Sequence, residues 1–132
     1  MCVENSNRSQ MGEAFVRIFG SDAVEAHSAG SKPAGHVNEK AITVMKEFGY
    51  DLAAHRSKPL ADINDHAPYD VVVTLQCGEY CPWVPAKQFI DWDISDPKHL
   101  ELDEYKKVRD LLAARVRRLL KDLNVRISYP EN

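Results

Sequence analysis

The segment Asp70-Val71-Val72-Val73-Thr74-Leu75 is a continuous, largely β-branched run, the pattern of a strand covered on both faces. Such a strand needs helices packed on its sheet, and helical patterns flank it along the chain. Within residues 9–20, Met11, Ala14, Phe15, Ile18 and Phe19 fall on one helical face, and Gly20 is the stop. Residues 38–48 repeat the pattern, with Val37, Ala41, Val44, Met45 and Phe48 on one stripe and Gly49 closing it. The longest helix is expected over residues 103–123. Its buried stripe would be Val108, Leu112, Val116, Leu119 and Leu123, with Leu111 and Leu120 beside it. Short strands are expected at residues 23–27 and near 89–92, and residues 125–129 read as a short strand or a frayed tail. Strands alternating with helices predict a parallel sheet with crossover helices. The expected fold class is therefore α/β, a three-layer α/β/α arrangement around a small parallel sheet.

A chain of 132 residues accommodates one domain, taken here as residues 1–132, and that length buries enough surface for a core. No stretch approaches the ~18 apolar residues of a membrane span. A net charge of −3 gives no reason to expect nucleic acid or an anionic membrane as partner. The start, Met1-Cys2-Val3-Glu4-Asn5-Ser6-Asn7-Arg8, lacks the basic-then-apolar order of a secretory leader, so the cytoplasm is the expected location and a monomer the expected state. Lys106, Lys107, Arg109, Arg115, Arg117, Arg118 and Lys121 line the outer faces of the last helix, as a solvated face does. Three cysteines, Cys2, Cys77 and Cys81, are too few and too odd in number for a disulfide scaffold. Cys77 and Cys81, with His27, His36, His55, His66 and His99 scattered singly, offer no second ligand pair, so no metal site is expected.

Chemistry concentrates at the N-terminus. Cys2 and Arg8 are separated by five residues, with small polar residues between and an amphipathic helix starting at Ser9. A loop feeding a helix N-terminus points free backbone N–H groups at one spot, and the helix dipole adds positive charge there. Such a nest holds a tetrahedral oxyanion. Arg8 adds a planar two-pronged donor that lysine could not imitate. The same field favours the thiolate of Cys2, and Asn5 suits a left-handed turn within the loop.

The run Cys2-Val3-Glu4-Asn5-Ser6-Asn7-Arg8-Ser9-Gln10-Met11-Gly12-Glu13-Ala14-Phe15 resembles the oxyanion loop and first helix of thioredoxin-coupled arsenate reductases. Those enzymes share the low-molecular-weight protein tyrosine phosphatase fold. The resemblance continues through Ser28-Ala29-Gly30, His55-Arg56-Ser57, Val72-Val73-Thr74-Leu75, Cys81-Pro82 and Trp92-Asp93-Ile94-Ser95-Asp96-Pro97, in order along nearly the whole chain. It implies that Cys2 is the nucleophile, supported by Ser9. The oxyanion would sit on the backbone N–H groups of Val3, Glu4, Asn5, Ser6, Asn7 and Arg8 and on the Arg8 side chain. Asp96, before Pro97, would be the general acid, and Cys77 and Cys81 would be relay thiols ending as a disulfide. The substrate implied is arsenate, with phosphate or sulfate as competitors, and the reductant is thioredoxin or a similar thiol protein. No cofactor is implied. The alternatives are a phosphatase acting on phosphate monoesters, which needs neither Cys77 nor Cys81, and a non-catalytic oxyanion-binding module.

Several residues depart from the family pattern. Gln76 stands where the relay cysteine usually follows the strand, and Cys77 comes one residue later. Asn7 replaces a cysteine common inside the loop. Family members that bind potassium have an acidic side chain near Lys58, so its ammonium is expected to replace the ion, reaching towards Asn5, Glu13 or Ser28. Lys98-His99 follow Pro97 where phosphatases commonly have tyrosines. The family's first strand lies before the catalytic cysteine, mid-sheet, whereas only Met1 precedes Cys2 in this chain. Unless residues 125–129 substitute for it, two sheet edges would be exposed.

Overall fold

A computed structural model describes residues 1–2, 4–75 and 84–127. The elements are α1 (Arg8–Gly20), α2 (Glu39–Met45), β1 (Tyr69–Thr74), β2 (Ala86–Asp91) and α3 (Leu102–Asp122), connected by loops and short 3-10 turns. The strands β1 and β2 are parallel, in register from Tyr69 opposite Ala86 to Thr74 opposite Asp91. This is an α/β domain built on a small parallel sheet, as the alternating pattern predicted.

The sheet widens at the carboxyl end of β1. The Met1 amino group donates to the Val73 carbonyl, and the Leu75 N–H donates to the Met1 carbonyl at 2.9 Å. Cys2 pairs in parallel with Gly30, and Gly30 with Pro59. Single-residue bridges thus carry the lateral order β2, β1, Met1-Cys2, Gly30, Pro59. Cys2 emerges mid-edge at the carboxyl ends of the strands, where open α/β sheets place ligands.

The helix boundaries follow local chemistry. In α2 the Asn38 side chain caps the start, accepting from the Lys40 N–H at 2.8 Å. After α2 the chain tightens into a 3-10 turn (Lys46–Phe48) and leaves at Gly49 with φ 72°, a left-handed position that favours glycine. Phe15 stacks on Phe19 (centroids 5.5 Å apart) and meets Phe48 edge-on at 5.1 Å, joining α1 to the end of α2.

Three expectations differ from the structure. The buried stripe of α3 is Tyr105, Arg109, Leu112, Ala113, Val116 and Leu120, while Leu111 and Leu123 are exposed. Arg109 is accepted inside because its guanidinium donates to Glu47 at 2.7 Å and to the Val44 carbonyl at 3.1 Å. It also lies 5.1 Å from the Phe48 ring centroid. Hydropathy does not anticipate that arrangement. Residues 24–27 do not form a strand, because a strand needs a ladder partner and these residues face a cleft of about 710 Å³. Met1, Val24, Ala26, Val71, Val73 and Leu120 are among its walls. Residues 125–127 are not a strand either: the Val125 N–H is spent on the Leu120 carbonyl at the end of α3, at 2.8 Å. Residues 128–129 lie outside the described residues. No helix among the described residues is long and apolar enough to cross a membrane.

Candidate active site

Residues 4–7 make a tight loop before α1, and their carbonyls are each held by a hydrogen-bond donor. The Glu4 carbonyl accepts from the Ala34 N–H and the Ser57 hydroxyl, each at 2.9 Å. The Asn5 carbonyl accepts from the Gln10 amide at 3.1 Å. The Ser6 and Asn7 carbonyls accept from the Asn38 and Met11 N–H groups, both at 3.0 Å. In a trans peptide the N–H points opposite to its carbonyl. The N–H groups of Asn5, Ser6, Asn7 and Arg8 are thereby turned inward, at the positive end of α1. Asn5 takes φ 49°, the left-handed turn expected of it, and is fully buried.

Cys2 is a free thiol, only 3% exposed, with its Sγ 2.9 Å from the Ser9 Oγ. Ser9 accepts from the Asn5 side-chain amide at 2.7 Å, which leaves its own proton for the sulfur. Arg8 is buried, and its Nη1 donates to the Ile94 carbonyl at 2.8 Å. Cys2, Asn7 and Arg8 share a cleft of about 300 Å³ with Glu4, Asp96, Lys98 and His99. Asp96 accepts from the Lys98 N–H at 3.0 Å. The Lys98 ammonium pairs with Glu4 at 2.7 Å, so one ion pair links the Asp96 segment to the loop. The cleft holds a thiol, an arginine and a carboxylic acid around a space sized for a small oxyanion.

Behind the loop lies a polar layer. Lys58 meets Asn5 through its backbone N–H (3.0 Å to Oδ1), while its ammonium lies 3.4 Å from Glu13 and 3.3 Å from the Ser28 hydroxyl. Ser28 donates to Glu13 at 2.6 Å, and Arg17 does so at 2.9 Å. Burial opposes ionisation of Glu13, but the Ser28 hydrogen bond and the charges of Lys58, His55 and Arg17 outweigh it. They hold the carboxyl below its ordinary value. Burial likewise pushes the His55 imidazole down, against the pull of Glu13.

Both shifts act with one sign on stability. A depressed folded-state pKa adds stability that is present above the unfolded value and lost as pH falls through the folded one. Stability should therefore decline on acidification below pH 6.5 through His55 and again below pH 4.5 through Glu13. Urea midpoints for the wild type and Glu13→Gln should differ most at neutral pH and converge below pH 4.5. A gap that stays constant with pH would remove the charge of Glu13 from the account.

Of the residues singled out in the sequence, the structure brings together Cys2, Asn5, Arg8 and Ser9 around the loop and Asp96 at its mouth. Glu13, Ser28 and Lys58 gather behind it. Val3, Cys77 and Cys81 lie outside the described residues. Sequence reasoning passed over three contributors. Gln10, fully buried, donates to the Asn5 Oδ1 and the Arg56 carbonyl, both at 2.9 Å, and its Oε1 accepts from the His55 Nδ1 at 2.9 Å. Tyr50 extends that chain through His55. Tyr105 donates to the Asn7 Oδ1 at 2.6 Å. Burial, with the charges of Asp96 and Cys2, raises its pKa far above the ordinary phenol value, so it remains a donor. The available signals were a glutamine on the inner side of an apolar helix and a tyrosine on the α3 stripe.

The sequence pattern of the family described as low molecular weight phosphotyrosine protein phosphatase matches residues 1–128. The glutaredoxin arsenate reductase of Synechocystis sp. is 35% identical over 123 residues, covering 91% of this chain and 92% of that one. A solved arsenate reductase in the phosphate binding state superposes with a TM-score of 0.82 at 35% identity, over 92% of this chain and 93% of that one. The thioredoxin-dependent arsenate reductase of Corynebacterium glutamicum gives a TM-score of 0.77 at 31% identity, over 93% of this chain and 59% of that one.

Proposed function

The chain belongs to the low molecular weight phosphotyrosine protein phosphatase family, and from that membership we propose that it reduces arsenate to arsenite. The observation that carries this reading is the Cys2 thiol set beside the inward-turned loop amides, with Arg8 and Asp96 in the same cleft. The kinship to arsenate reductases supports it.

Arsenate sits on the loop N–H groups and the Arg8 guanidinium, which stabilise the charge that builds on its oxygens. The Cys2 thiolate, supported by Ser9, attacks arsenic, and Asp96 protonates the departing hydroxide to water. A second thiolate, from Cys77 or Cys81, then attacks the Cys2 sulfur. The S–As bond breaks and its electron pair stays on arsenic, which leaves as arsenite. The last thiol attacks the new disulfide, frees Cys2 and leaves Cys77–Cys81 oxidised. A thioredoxin-like dithiol protein reduces that pair. Glu13, Ser28 and Lys58 hold the loop in shape, the lysine ammonium supplying the positive charge behind it.

Mapping disulfides by peptide mass after exposure to arsenate tests the scheme. One Cys77–Cys81 bridge per arsenite released is expected, and it should disappear when a thioredoxin system is added. Arsenite production with all three thiols still reduced would overturn it.

A further inference from the structure

Folding brings together a second cluster of chemistry-bearing side chains, far in sequence from the oxyanion loop. Glu25 and His27 lie in the extended segment after α1, and His66 lies in the 3-10 turn (Asn64–His66) that precedes β1. The Glu25 Oε1 stands 2.9 Å from the His27 Nε2 and 3.4 Å from the His66 Nδ1. All three donor atoms fall within 4.8 Å of one another. The two imidazoles are stacked, with centroids 4.1 Å apart and planes 23° apart. Tyr69 lies edge-on to His27 at 6.1 Å.

We propose that Glu25, His27 and His66 form a binding site for a zinc-like divalent cation, separate from the oxyanion site. Zinc is held at about 2.0–2.1 Å by imidazole nitrogen and carboxylate oxygen, so tetrahedral ligands lie about 3.3 Å from each other. The two distances to Glu25 bracket that value. Two imidazoles and one carboxylate suit zinc and its first-row neighbours, whereas magnesium and calcium call for oxygen donors. Three protein ligands leave a coordination position for water. The nearby cation Arg17 is engaged elsewhere, donating to Glu13 and to the Ala26 carbonyl.

The position gives the site a structural role. Glu25, His27 and His66 line one rim of the cleft between β1 and the segment after α1. At its other end the two walls are joined through Met1 and Cys2. A cation bound by all three residues would clip the walls together at the open rim. The clip would add its binding free energy to folding, since the three ligands converge only in the folded chain.

The test uses the full chain with Cys2, Cys77 and Cys81 replaced by serine, so that no thiol competes for metal. Calorimetric titration with zinc chloride should show one saturable equivalent, and zinc should raise the melting temperature. His66→Ala and Glu25→Gln should each weaken binding more than about tenfold, by comparison with the 10–100-fold typical of losing only an outer partner of a ligand. Both should also abolish the thermal shift. Absence of a saturable equivalent, or unchanged affinity in His66→Ala, would overturn the proposal. Should the serine chain not fold, the wild-type chain is titrated and the ring-proton signals of His27 and His66 are followed by NMR. Zinc on thiols alone leaves those signals in place, which also overturns it. Neither outcome bears on arsenate reduction, because these residues lie outside the oxyanion cleft.

Discussion

A chain with Cys77 and Cys81 both replaced by serine should release no arsenite in steady state. Reduction of arsenate removes two electrons from sulfur, so two thiols must end as one disulfide, and Cys2 supplies only one of them. A reducing protein cannot easily supply the second, because Cys2 is 3% exposed at the base of its loop. The double variant should stop at a single arsenic adduct on Cys2. It should still hydrolyse an aryl phosphate slowly, since that reaction asks only for Cys2, Arg8, Asp96 and water. The assay is arsenite release with a thioredoxin system present, beside aryl phosphate hydrolysis as the measure of an intact loop. Unimpaired multiple turnover would refute the relay. Equal phosphatase rates in wild type and variant, with no arsenite from either, would instead make the chain a phosphatase.

The second large effect belongs to Arg8. Replacement by lysine should lower kcat/KM for arsenate by about 10²–10³-fold, the usual loss when one preorganised oxyanion donor is removed. One guanidinium nitrogen is already committed to the Ile94 carbonyl at 2.8 Å, which fixes the plane of the fork relative to the loop. The remaining nitrogens can then meet two oxyanion oxygens together. A lysine keeps the positive charge but offers one point donor on a flexible stem, and it cannot serve Ile94 and the oxyanion at once. Because net charge is unchanged, the loss reads geometry rather than long-range attraction. Phosphate, a competing oxyanion, should bind more weakly in parallel, measured by calorimetry. A rate within the same order of magnitude as wild type would take Arg8 out of the site.

Much of this site could be read from spacing alone, because its parts are neighbours in the chain. Cys2, Asn5, Arg8 and Ser9 fall within eight residues, and a loop that enters a helix has few ways to arrange them. The left-handed Asn5, the Cys2–Ser9 contact and the start of α1 all follow from that short range. Asp96 was legible only through resemblance, since nothing local to Asp96-Pro97 says which cleft it faces. The polar layer was partly legible: Lys58 does reach Glu13 and Ser28, but its contact with Asn5 runs through the backbone N–H rather than the ammonium. The roles of Gln10, His55 and Tyr105 were not legible, because partners of theirs lie 46, 45 and 98 residues away respectively. The α3 stripe held at Leu112, Val116 and Leu120 but was misjudged at Arg109, Leu111 and Leu123, for the same reason. Hydropathy ranks leucine above arginine, yet Arg109 is inside because Glu47 and Val44, on another element, satisfy it.

By itself the sequence determined the α/β class, the helix positions and the left-handed turn that leads into α1, all consequences of periodicity and chain-local geometry. Tertiary structure alone decided which distant groups complete that geometry. It brought Ala34, Asn38 and Ser57 to turn the loop carbonyls outward, and it set Cys2 between β1 and Gly30. It left residues 24–27 without a ladder partner, and it joined His66 to Glu25 and His27. The division has a physical cause. A helix stripe or a tight turn is encoded by torsions within a few residues, whereas a hydrogen bond across half the chain exists only after the core has closed around it.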